Sequence, residues 1–95
     1  MRYLRAHWVD APDGEPVEMW HEIGGDNLET RKVWAFRDGS LQWTDSDEEN
    51  GTIYLASEPI PTTAEIDAMP EFTAVAIDLL EFEAVWSLAI GSTVD

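Results

Sequence analysis

An α+β fold is expected of this chain: an antiparallel four- to five-stranded meander sheet with one short and one longer C-terminal helix packed on one face. Three observations lead there. The first 44 residues alternate apolar and polar types between clusters of turn residues, the pattern of short half-buried strands. The C-terminal third carries two capping-box spacings, Thr62 to Glu65 and Asp78 to Glu81, each of which opens a helix. No repeat and no long linker divides the chain, so residues 1–95 read as a single domain.

Residues 2–9, with Tyr3, Leu4, Trp8 and Val9, form the first expected strand. Residues 10–16 hold two prolines, a glycine and three acids, the composition of a loop. From Val17 to Ile23, Val17, Met19, His21 and Ile23 alternate with Glu18, Trp20 and Glu22, which makes a second strand with one carboxylate-rich face. Gly24-Gly25-Asp26-Asn27 closes it, residues 28–36 make a third strand and residues 41–44 a fourth. The Asp38-Gly39 turn between the last two allows two registers. A two-residue turn pairs Trp34 with Trp43 and Phe36 with Leu41. A type I turn with Gly39 in a bulge pairs Val33 with Trp43 and Ala35 with Leu41, and moves Trp34 to the other face. The bulge is favoured because it gathers Val33, Ala35, Leu41 and Trp43, leaving Trp34 outward beside Lys32.

Residues 45–52 are an acidic loop, and residues 53–55 a short strand. Pro59 and Pro61 enforce extended backbone before the short helix that starts at Thr62 and ends at Pro70. Residues 72–77 are extended. Ile77 and Phe82 then stand at hydrophobic-staple positions around Asp78. Phe82, Val85, Trp86 and Ala89 recur at helical spacing, and Gly91 is a natural stop.

Charge narrows the function classes. All five Lys and Arg lie in the first 37 residues, whereas 13 of the 20 acids follow Arg37, so the remaining 58 residues carry −13 of the net −15. Such a surface repels nucleic-acid phosphates and suits a basic protein partner; a salt-adapted habit produces the same composition with no partner. The chain has no Cys, which removes disulfides and thiolate chemistry and fits a reducing compartment. Neither a signal-peptide core nor a run of about 18 apolar residues occurs. A cytoplasmic protein is expected, without membrane attachment, monomeric or a small homo-oligomer.

At Arg31-Lys32-Val33-x-x-Phe36-x-Asp38-Gly39, followed by Asp47-Glu48-Glu49 and Glu81-Phe82-x-x-Val85-Trp86, the chain resembles a family of short acidic bacterial proteins known as a domain of unknown function. Arg2-Tyr3-Leu4-Arg5 with Trp8, and Glu15-Pro16, match as well, so the resemblance spans nearly the whole length. Relatives commonly place an acid where this chain has Trp34 and an aliphatic residue where it has Ala35, which fits position 34 facing out and position 35 facing in. In size and charge the family is similar to immunity proteins of bacterial toxin systems, and that role is what the resemblance implies.

Catalytic and metal constellations fare poorly. Counted from Asp45, an EF-hand would need Gly at position 6 and an acid at position 12, where this chain has Asn50 and Ala56. His7 and His21 on neighbouring strands, near Glu18 and Glu22, have no spacing that demands a metal. No Ser occupies a Gly-flanked strained turn. Neither cofactor nor enzymatic activity is expected. The expected function is inhibition by binding, an immunity protein that blocks the active cleft of a basic toxin such as a nuclease. Its expected surface comprises the steering acids Glu18, Glu22, Asp45, Asp47, Glu48 and Glu49, with Trp20 or Trp34 as the desolvated anchor. The alternative is a small ligand-binding or accessory domain whose acidity reflects solubility or salt adaptation.

Overall fold

The computed structural model describes residues 1–91. Its five strands are β1 (Arg2–Trp8), β2 (Glu18–Ile23), β3 (Glu29–Ala35), β4 (Leu41–Asp45) and β5 (Phe72–Ile77), and its helices α1 (Thr63–Asp67) and α2 (Leu79–Gly91). The first four strands form the expected meander. The fifth returns to the free side of β1, giving the antiparallel order β4-β3-β2-β1-β5.

The β3–β4 hairpin takes the bulge register, with Val33 opposite Trp43 and Ala35 opposite Leu41. Phe36 N–H donates to Ser40 O and Gly39 N–H to Phe36 O. Gly39 sits at φ +89°, the left-handed conformation that favours glycine. Asp38 holds the turn by accepting from the Ser40 amide and hydroxyl. A second irregularity was not legible. The β2–β3 register shifts so that Glu22 faces Arg31 while Ile23 faces Glu29, leaving Thr30 as the extra residue. Thr30 and Arg31 therefore both reach Glu22, and Glu29 emerges on the opposite face beside His21 and Lys32.

Each face of the sheet has its own apolar cluster. Val33, Phe82, Trp86 and Ala89 form one, with Tyr3, Trp20, Leu41, Trp43, Ile77 and Val85 packed around them. Leu4, Ala6, Ile23 and Ala74 form the other, with Met19, Ile60 and Ile66. Tyr3 and Leu4 are consecutive strand residues and so point to opposite faces. Thus α2 covers one face, and α1 with the segment before it covers the other, which corrects the expectation that both helices pack on one face. Capping and periodicity locate a helix along the chain but do not say which side of the sheet it takes.

Residues 53–55 do not form the expected strand. They belong to an irregular segment in which Ile53 is buried. Arg2 donates to the carbonyls of Ile60 and Pro61, and Ile60 N–H to Asn27 O, which ties the segment down. The start of α1 has the full capping box, with Thr62 and Glu65 each accepting the other's amide. At α2 the Asp78 carboxylate accepts the Glu81 amide at 2.8 Å, and Ile77 joins Phe82 in one cluster, as a staple requires. The Glu81 carboxylate lies 3.6 Å from Arg5.

Candidate partner-binding surface

The acidic loop begins inside β4. Asp45 accepts the amides of Asp47 and Glu48, an Asx-type turn that folds the chain back on itself. Thr44 then bridges to Glu49, its hydroxyl donating to Glu48 O, and Asn50 both donates to Trp43 O and accepts the Trp43 amide. The loop thereby occupies the outer edge of β4, where an unpaired strand invites unwanted pairing. Asp47, Glu48 and Glu49 are exposed, and none has an ionic partner among the described residues. They are held in place by backbone hydrogen bonds, not by counter-charge.

Glu18, Trp20 and Glu22 share a face, as the alternation indicated, and it is the face that α2 covers. Trp20 packs against the Val33–Phe82–Trp86 cluster. Glu22 is 6% exposed and accepts from Arg31 Nε at 2.9 Å, from Arg31 Nη2 at 2.6 Å and from the Thr30 hydroxyl at 2.7 Å. The hydrogen bonds from Arg31 hold its pKa down at about 2 against the opposing effect of burial, and Glu22 in turn raises that of Arg31. Glu18 accepts from His7 Nδ1 at 2.9 Å. It lines a groove of about 250 Å³ with Arg5, His7, Thr73 and Val75. Trp20 and Glu22 are therefore parts of the helix-docking core and not of a free binding face.

Trp34 lies on the opposite face beside Lys32, half-buried, its ring edge-on to Phe36 at 6.4 Å and to Tyr54 at 6.0 Å. Tyr54 is 64% exposed and was missed in the sequence because it falls in the irregular segment. Below this aromatic group lies a buried polar network. Glu29, whose side chain is fully buried, accepts from Lys32 at 2.8 Å, from His21 at 2.5 Å and from the Ala56 amide at 2.8 Å. Burial pushes the Glu29 carboxyl up, but the hydrogen bond from His21 and the charges of His21 and Lys32 outweigh it and leave it below the usual range. An ionised carboxylate only accepts, so the His21 Nδ1 that faces it is the donor. Lys32 Nζ also donates to Tyr54 O at 2.9 Å.

Three places thus hold the eight expected residues. Asp45, Asp47, Glu48 and Glu49 lie together on the loop, Trp34 sits in the aromatic group on one face, and Glu18, Trp20 and Glu22 lie on the other. A cleft of about 310 Å³ opens between residues 12–15 and 36–42, with Phe36, Arg37 and Asp38 in its wall; Arg37 is already paired there with Asp13 at 2.9 Å. No helix among the described residues is long and apolar enough to cross a membrane.

Comparison with known proteins adds the family. No curated protein and no solved structure matches the chain. A family model described as a domain of unknown function, DUF6881, matches residues 2–91, the span that contains the whole sheet, both helices and the acidic loop. The chain belongs to the DUF6881 family.

Proposed function

We propose that the protein is an inhibitor that acts by binding: a bacterial, cytoplasmic immunity protein that occupies the active cleft of a basic toxin, a nuclease being the partner its charge suits best. One observation carries this reading. Four of the five Lys and Arg are ion-paired within the chain, Arg5 with Glu81, Arg31 with Glu22 and Glu83, Lys32 with Glu29 and Arg37 with Asp13. Arg2 bonds the Ile60 and Pro61 carbonyls, while Asp47, Glu48 and Glu49 have no ionic partner among the described residues. A carboxylate surface of this kind steers a basic partner and raises association to about 10⁸–10⁹ M⁻¹s⁻¹ at low salt. Trp34, with the exposed ring of Tyr54 beside it, takes the role of aromatic anchor in preference to Trp20, which packs against the Val33–Phe82–Trp86 cluster. Blocking a cleft requires no bond-making chemistry.

The test is a pull-down from native lysate at low and high salt, with mass spectrometry of the eluate. A basic toxin recovered at low salt and lost at high salt supports the proposal, because screening acts over about 8 Å at physiological ionic strength. Background alone, with no salt-sensitive species, ends it. The cleft beside Phe36 favours a second reading, a ligand-binding or accessory domain, whose ligand would be retained at high salt.

A further inference from the structure

We propose that the outer face of α2, centred on Ala84, is the contact surface of a two-fold homodimer of this chain. The helix is apolar on both sides. Phe82, Trp86 and Ala89 face the sheet, yet Leu80 and Leu88 are 78% and 66% exposed and Leu79 is 48% exposed. Leu80, Ala84 and Leu88 are spaced four residues apart and so form one continuous stripe.

Two features say what covers it. The stripe is self-complementary: Leu80 and Leu88 are equally far from Ala84, so an antiparallel two-fold axis through Ala84 sets each Leu80 against the partner's Leu88. This is the isologous arrangement of a closed dimer. The short side chains of Ala84 and Ser87 let the two helices approach. The stripe is also electrically quiet. Its only acids, Glu81 and Glu83, flank it and are paired with Arg5 and Arg31, and the same axis places each opposite Ser87 and Val85 of the other copy, not opposite another acid. A basic partner finds its match at the 45–49 loop. On a chain of net charge −15, a neutral, apolar, self-matching face finds its match in a second copy. One helix face falls short of the ~800 Å² per partner of a standard interface, so the dimer is weak and concentration-dependent. None of this rests on the inhibitor reading.

Sedimentation of the full chain from about 1 µM to about 1 mM, a range that covers weak association, reads the equilibrium. The dimer fraction should rise with concentration, and rise further with salt as repulsion between the two acidic copies is screened. Salt is expected to weaken binding of a basic partner, so the two proposals fail separately. Leu88→Glu should weaken dimerisation at least about tenfold, the equivalent of about 1.4 kcal/mol, with an unchanged circular dichroism spectrum because Leu88 is exposed. Ala84→Cys supplies an independent readout in a chain without cysteine. On oxidation it should cross-link much faster than Asp47→Cys. Monomeric wild type throughout the range overturns the homodimer, as does undiminished dimerisation of Leu88→Glu or equal cross-linking of the two cysteine variants. A monomer that loses a basic partner on Leu88→Glu also overturns it and assigns the face to that partner.

Discussion

Arg31 and Lys32 are neighbours in β3 that point to opposite faces, and each fastens a different kind of structure to the sheet. Arg31 forks onto Glu22 and reaches Glu83 of α2, its guanidinium 4.9 and 5.0 Å from the ring centroids of Phe82 and Trp86. The helix beneath it is already docked by apolar area. Lys32 fastens an irregular segment, bonding Tyr54 O and Glu29, while Glu29 accepts the Ala56 amide. A helix satisfies its own backbone, so side-chain burial is enough to hold it. An irregular segment laid on a sheet brings unpaired N–H and C=O groups with it, and these must find partners or cost desolvation energy. The two faces therefore differ in the chemistry that holds them, and that difference can be broken experimentally.

The largest effect is expected on the helix side. Phe82 is fully buried at the centre of its cluster, and Phe82→Ala should cost about 4 kcal/mol in urea unfolding, with exchange of amide hydrogens raised across the whole sheet. On the other face, Glu29→Ala strands the buried Lys32 and the Ala56 amide and should cost about 3 kcal/mol. Its loss of exchange protection should begin at residues 53–58 before it reaches the strands. Replacing the pair together, Glu29→Leu with Lys32→Met, should recover part of that loss, since two apolar groups leave no buried charge. If Glu29→Ala behaves like a surface substitution, the segment is not held by the network.

Acid probes the helix side next, with Glu22 read against its own neutral variant. The folded pKa of Glu22, about 2, lies below its usual value of 4.5, so the group binds protons more readily in the unfolded chain. Its contribution is complete above about pH 4.5 and is lost as pH falls toward 2. The shift corresponds to roughly 3 kcal/mol at neutral pH. Comparing wild type with Glu22→Gln by thermal melts should show the difference shrinking across that window; a constant difference would assign the effect of Glu22 to packing.

These residues also mark where reading the sequence succeeded and where it stopped. The strands, the Gly39 bulge and both capped helices were legible because each has a local signature: alternation, a left-handed turn residue, a Thr or Asp three positions before Glu. The bulge at Thr30 has none, and it turned Glu29 away from Arg31 and into the Lys32 network. The apolar content of residues 53–60 showed that something there is buried but not how, since Ile53 and Ile60 contribute to the core without any period. Trp20 between Glu18 and Glu22 reads as an exposed anchor until α2 is known to lie over that face. The exposure of Asp47, Glu48 and Glu49 was legible, because solvated carboxylates need no long-range partner.

A smaller effect is expected from Thr62→Ala. It removes one bond of the α1 capping box and should cost about 1 kcal/mol, seen as a modest drop in urea midpoint.

The smallest effect on stability is the most informative about function. Neutralising Asp47→Asn, Glu48→Gln and Glu49→Gln together removes three charges that no cation among the described residues balances. The loop itself depends on the Asp45 carboxylate and on backbone atoms of Glu48, both kept. Stability should stay within about 0.5 kcal/mol of wild type, shifting upward if anything at low salt as repulsion between like charges is relieved. Paired acids such as Glu22 and Glu29 behave in the opposite way, since their removal destabilises. Acids that can be deleted without weakening the fold are free to serve a partner. Association with a basic partner should then fall several-fold at low salt, through the on-rate, and converge with wild type at high salt. A triple variant that is markedly destabilised would show that the loop charges serve the fold after all, and would erase the distinction between internal and outward acids on which the inhibitor reading stands.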